Sequence, residues 1–187
     1  MSRLGELTCK VDAFFARVAE RHGADMQCQT GCADCCHVRL TITGVEASAI
    51  RAHVAAWPVP RRRQLAVVGP DDRCAALGPD DRCKIYDARP LVCRSHGVPI
   101  RLRRGALPVV EACHRNFRRT TPDADCVLDQ ATLSATLFAI DRRGLPPAVS
   151  APGGARGSID AAERDPERDP ATGRVELAGL LAELAAI

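Results

Sequence analysis

The chain predicts a small, irregular, mainly α fold with a short β-hairpin, in which a metal-stapled, cysteine-rich core is flanked by helices. Three observations predict it. Ten cysteines fall within 187 residues, most of them in closely spaced groups. Aromatic residues make up only 3% of the chain although apolar residues reach 46%, so the core has to be assembled from small aliphatic groups and needs another source of closure. Apolar residues recur at helical spacing near both ends, whereas strand-like alternation is brief.

Residues 3–22 read as an amphipathic helix, with Leu4, Leu7, Val11, Phe14, Phe15 and Val18 on one stripe and Gly23 as its stop. Cys9 lies off that stripe. Residues 28–36 are too cysteine-dense for a regular element and read as a metal-binding loop or a turn entering a short helix. Val38, Leu40 and Ile42 alternate, and Thr43 with Glu46 then forms a capping-box signature opening a helix to about Trp57. Its expected buried face is Val45, Ala49, Ile50, Val54 and Trp57, with Pro58 and Pro60 ending it.

Residues 69–83 are loop-like, and Pro90 after Arg89 suits the first position of a short helix. Two strands, carrying Val98, Ile100 and Leu102 and then Leu107, Val109 and Glu111, flank a turn at Arg104 and Gly105. Residues 128–143 predict a helix with Leu133, Leu137 and Ile140 inward and Gly144 as its stop. The expected organisation is a cysteine-cluster metal-binding domain over 1–145 (metal core about 24–120), a flexible linker over 146–174, and an amphipathic helix over 175–187. In that last helix Leu177, Leu180, Leu181 and Leu184 share a face that docks on the body or on a partner.

Net charge is +3, from 26 basic and 23 acidic residues, which argues against nucleic-acid and membrane partners. Arginine supplies almost all the basic charge, only Lys10 and Lys84 being lysines, a mark of coding bias before function. The run Arg61-Arg62-Arg63 reads as a solvated patch. No segment approaches the ~18 apolar residues of a membrane span, and Glu6, Lys10 and Asp12 interrupt any signal-peptide core. A cytoplasmic location is therefore expected, where structural disulfides are disfavoured and thiolate ligation of metal explains the cysteines.

Four cysteines form the run Cys28-x3-Cys32-x2-Cys35-Cys36, and four follow as Cys74-x8-Cys83-x9-Cys93-x19-Cys113. Thiolates two or three residues apart can converge on one ion or cluster, as in zinc and iron–sulfur sites. Neighbouring side chains usually point apart, so the Cys35-Cys36 pair reads as one ligand and a spare, or as a pair feeding two nearby sites. Four plus four suits two tetrathiolate sites or a compact two-metal centre. Cys9 is set aside, and Cys126, close to Cys113 in sequence, is a further candidate.

His37, His96 and His114 each lie near a cysteine and read singly as supporting or surface residues. Of the three, His96 is the candidate ligand, since it would share a helix face with Cys93 at i, i+3. Arg89 and Arg94 flank the second group and would offset thiolate charge.

The Cys28–Cys36 run, the Cys74–Cys83 loop, the segment Cys83-x-Ile85-Tyr86-x2-Arg89-Pro90-x2-Cys93-Arg94 and Cys113 together resemble the YkgJ-type cysteine-cluster family over roughly residues 24–120. Its members are described as zinc- or iron-chelating and often labelled Fe–S oxidoreductases; some longer relatives are called flagellin lysine N-methylases. The resemblance implies Cys28, Cys32, Cys35, Cys36, Cys74, Cys83, Cys93 and Cys113 as ligands. No Gly-rich nucleotide-binding or methyl-donor fingerprint occurs in the chain.

Three function classes follow. One is a protein holding an iron or iron–sulfur centre, at one or two sites, for redox, iron-handling or protein-modification work on a protein partner or peptide substrate. The alternative is a zinc-binding structural or metal-handling module without catalysis. The third is an iron- or Fe–S-dependent oxidoreductase or modification enzyme with an open coordination position. In each case metal removal is expected to unfold residues 24–120 more than the two flanking helices.

Overall fold

The computed structural model describes residues 1–66, 73–144 and 173–186. Among them the order is α1 (Arg3–His22), β1 (Thr41–Ile42), α2 (Gly44–Ala55), α3 (Val59–Arg63), α4 (Leu91–Ser95), β2 (Ile100–Arg104), β3 (Leu107–Glu111), β4 (Leu128–Asp129), α5 (Gln130–Gly144), β5 (Val175–Glu176) and α6 (Leu177–Ala186). This is the expected mainly helical, irregular fold with a short hairpin. The linker predicted over 146–174 lies outside the described residues except for Gly173 and Arg174, as do residues 69–72 of the predicted loop.

Each helix starts for a local reason. The Ser2 hydroxyl accepts the Gly5 N–H at 3.1 Å to cap α1. The capping box at α2 forms, with Glu46 Oε2 accepting from the Thr43 N–H at 3.0 Å. Asp129 Oδ1 accepts the Thr132 N–H at 2.8 Å at the start of α5. Pro58 ends the α2 segment as expected and at once precedes α3, a helix that the proline pair had concealed.

The hairpin pairs Ile100 with Glu111 through Arg104 with Leu107, so its loop is Gly105-Ala106, one residue beyond the expected turn. Two pairings were not legible locally. β4 runs parallel to β2 through Ile100–Leu128 and Arg101–Asp129, and β1 pairs antiparallel with β5 through Thr41–Glu176 and Ile42–Val175. The alternation from Val38 to Ile42 therefore yields a two-residue strand, and Val38 stays exposed.

The largest apolar cluster joins Ile42, Ile50, Val54 and Trp57 to Leu180, Leu181 and Leu184 of α6, so that helix docks on the body. The buried face of α2 runs through Ala47 instead of Ala49, which is exposed, because α6 and α5 both pack against this helix. A second cluster joins Val11 of α1, Leu91 of α4 and Leu133 of α5. A third joins Val18, Val98 and Cys126.

Buried carboxylates tie these elements together. Asp141 of α5 accepts the Val45 N–H at 2.7 Å, placing an anion at the N-terminus of α2. Glu46 also accepts the Leu91 N–H at 2.9 Å, joining the starts of α2 and α4. Replacing Glu46 by Ala strips partners from three buried donors, the Thr43 N–H and hydroxyl and the Leu91 N–H. We expect a stability loss of about 3 kcal/mol, read as a lower denaturation midpoint at unchanged slope.

Candidate metal centre

All ten cysteines are free thiols. Cys28, Cys32, Cys35 and Cys36 lie between α1 and β1 in a segment bent twice. Cys32 N–H donates to the Gln29 carbonyl at 3.0 Å across a turn whose Gly31 takes φ +87°, a conformation that favours glycine. Asp34–Cys36 then forms a single 3₁₀ turn, closed by the Cys36 N–H on the Ala33 carbonyl at 2.8 Å. In this tight turn the Cys35 and Cys36 sulfurs sit 4.0 Å apart on one side. That differs from the divergent directions expected of adjacent side chains. The 3₁₀ geometry brings both sulfurs round together.

The second group is held by a compact loop before α4. The Cys74 N–H donates to the Cys36 carbonyl at 2.7 Å, which joins the two segments directly. Leu77 and Cys83 form an antiparallel bridge, and the Lys84 N–H reaches the Ala76 carbonyl at 2.8 Å. Backbone N–H groups of Ala76 and Leu77 point at the Cys74 sulfur, and that of Ile85 at Cys83. Cys93 follows on α4, whose first turn Pro90 precedes as the N-cap residue.

Cys113, on the loop after β3, is carried back to the first segment. Asp34 pairs with Arg115 at 2.6 Å and His114 at 3.4 Å. Asn116 does more. Its buried amide donates to the Cys28 sulfur at 3.3 Å and to the Gly97 carbonyl at 2.7 Å, and its oxygen accepts the Gln27 N–H at 2.8 Å. No motif singled out Asn116; its position three residues after Cys113 was the sole signal in the sequence.

Burial and neighbouring thiols push most of these sulfurs upward. Burial raises the Cys28 thiol above its ordinary value, and the charges of Cys113, Cys32 and Cys35 push the same way. Burial likewise raises Cys74 and Cys83, each also repelled by Cys35. It pushes Cys93 up to about 12, helped by Cys74, Cys83 and Cys35. Cys36 is raised chiefly because it donates its proton to Cys35, which is held down to about 6 by that hydrogen bond.

The remaining candidates divide. Arg89 acts on Cys35, Cys83 and Cys93 as the expected counter-charge, stacked 4.0 Å over the Tyr86 ring. Arg94 does not serve the sulfurs. It grips Asp12 of α1 through Nη1 at 2.8 and 3.1 Å and the Arg89 carbonyl through Nε, so its role is to seat α4. His96 loses its helical argument, because α4 ends at Ser95 and His96 is extended. His37 and His114 are exposed, as is Cys9 on α1. Cys126 is buried in the third apolar cluster.

Gly97 is the tightest point. Its φ is +103°, and a Cβ there would lie 2.5 Å from the Cys28 sulfur. We expect Gly97→Ala to cost about 2–3 kcal/mol from the left-handed backbone and the collision together. Its signature is a lower melting temperature accompanied by reduced metal content, since Cys28 must move.

An all-thiol donor set, assisted by backbone N–H groups and one guanidinium, fits zinc and iron alike. A family model described as "CxxCxxCC: Putative zinc- or iron-chelating domain" matches residues 27–126. Comparison with curated proteins and with solved structures returns no match. Among the described residues no helix is long and apolar enough to cross a membrane.

Proposed function

Because the chain belongs to the CxxCxxCC family of zinc- or iron-chelating domains, we propose that its eight clustered cysteines hold two metal ions, zinc or iron, in one compact thiolate centre. One group is Cys28, Cys32, Cys35 and Cys113; the other is Cys36, Cys74, Cys83 and Cys93. The observation that supports this reading is geometric: the Cys35 and Cys36 sulfurs lie 4.0 Å apart, and the Cys74 N–H donates to the Cys36 carbonyl at 2.7 Å, which joins the two cysteine segments. Residues far apart in sequence, such as Cys28 and Cys113, are drawn together by Asn116 and Gly97, which a reserve of unrelated thiols would not require.

Bound metal would supply cross-linking of four chain segments and, for iron, a redox couple. The protein's own share is to keep the thiols gathered, offset their charge with Arg89 and turn N–H groups toward Cys74 and Cys83. Cys28 and Cys35 are exposed, so the centre meets solvent on one side. That supports a metal-handling role in which ions are exchanged.

Metal identity is read from protein prepared without oxygen. At least two equivalents of zinc or iron by elemental analysis support the two-ion centre, and colourless protein carrying only zinc removes the redox reading. A brown charge-transfer band with acid-labile sulfide assigns an iron–sulfur cluster to the same cysteines in place of two separate ions. Protein that takes up no metal beyond one weakly held equivalent overturns the proposal.

A further inference from the structure

One cluster of ligand-type side chains stands apart from the eight cysteines. The imidazole of His22, the carboxylate of Asp123 and the sulfur of Cys126 offer ligand atoms that all lie within 4.8 Å of one another. No motif links them: His22 ends α1, while Asp123 and Cys126 bracket the 3₁₀ turn Ala124–Cys126. We infer that His22, Asp123 and Cys126 form a second metal site, separate from the thiolate centre, that takes a zinc-class divalent ion.

The first support is an unmet demand. His22 Nε2 is shielded from solvent and, among the described residues, makes no hydrogen bond, although Asp123 Oδ2 stands 3.3 Å from it. A buried ring nitrogen without an aligned partner is costly; a cation between it and the carboxylate would satisfy both. Cys126 is fully buried beside Val18 and Val98, which limits its sulfur to this small neighbourhood.

The surroundings hold the ligands in place before any ion arrives. The His22 ring sits edge-on to Phe117, with centroids 5.3 Å apart. Its other nitrogen, Nδ1, faces Asp25 Oδ2 at 3.9 Å, the side on which a metal-bound histidine commonly keeps a carboxylate. The Phe117 N–H donates to the Asp25 carbonyl at 3.0 Å, joining that loop to the end of α1. Arg21 grips Asp125 at 2.6 Å, and Arg17 donates to the Asp125 carbonyl at 3.1 Å, so the turn carrying Cys126 is already clamped to α1.

The donor set decides the ion. Calcium and magnesium prefer oxygen alone, whereas one nitrogen, one carboxylate oxygen and one thiolate suit zinc. Three protein ligands leave a fourth position, and the Asp123 side chain, 60% exposed, opens it to water. Such an ion would fasten the end of α1 to the segment entering β4 and α5.

The test loads the full-length chain with ¹¹³Cd²⁺ and records its cadmium resonances, because thiolate-only and mixed N/O/S sites are well separated in shift. Low-field resonances report the thiolate centre, and one distinct higher-field resonance is expected from the second site. Asp123→Asn, on an exposed side chain that should not disturb folding, and His22→Gln should each abolish it and remove about one equivalent of bound ion. The low-field resonances should stay unchanged. Absence of the higher-field resonance in the unaltered chain, or its persistence in both variants, overturns the inference and leaves His22 and Asp123 as neighbouring side chains only. A higher-field resonance without low-field ones supports this site while refuting the thiolate centre.

Discussion

Complete metal removal will unfold the cysteine loops together with α6, not the loops alone. The Cys74–Ile85 loop contributes Cys74, Ala75, Ala76 and Ile85 to the apolar cluster that also holds Leu177, Leu180, Leu181 and Leu184. Loop and helix therefore stand or fall as one unit. A structural thiolate-bound ion contributes ~10–16 kcal/mol in small zinc domains, against a total stability of ~5–15 kcal/mol for a typical domain. Removing it leaves that half of the core without support. The helix α1 should persist longer, since its Val11 packs with Leu91 and Leu133 and its Val18 with Val98 in clusters of their own. Amide exchange measured before and after chelation gives the check. Protection should fall on the order of 100-fold, or ~2.7 kcal/mol, over residues 28–36, 74–93 and 177–186. Protection unchanged in α6 would show that metal and core are uncoupled.

The second large effect is expected at the adjacent cysteines. Cys35→Ser and Cys36→Ser should each remove about one equivalent of bound metal, because in the proposed centre each supplies one of four thiolates to a different ion. The 4.0 Å between their sulfurs makes the pair the join between the two proposed groups. Cys9→Ser, on the exposed face of α1, serves as the control with unchanged metal content. Elemental analysis of the three variants decides the matter. Loss from only one of the pair would mean that its neighbour is a spare and that no compact two-ion centre exists.

Much of this architecture was legible from residue order. The Leu4–Val18 stripe marked α1, and the Thr43–Glu46 pair marked the start of α2 because a capping box is satisfied within one turn. The hairpin was visible because alternation and a glycine turn are also local. What local signals mistook is equally instructive. Arg94 follows Cys93 directly, yet it reaches back to Asp12, because α1 packs on α4 and offers it a carboxylate. His96 was assigned a helix face that the chain abandons one residue earlier.

The sequence by itself determined the number of cysteines and their spacing along the chain, and the helices whose apolar faces could be counted. Those properties depend on spacing along the chain, which sets which side chains can converge within a turn or two. Only the tertiary structure decided that Cys113 returns to Cys28 through Asn116, that α6 closes over the Cys74 loop, and that His22 meets Asp123 and Cys126. Those meetings depend on burying apolar faces and satisfying polar groups contributed by distant segments, and no local spacing encodes them. The cysteines named the chemistry; the packing of α1, α4 and α6 chose which of them would meet.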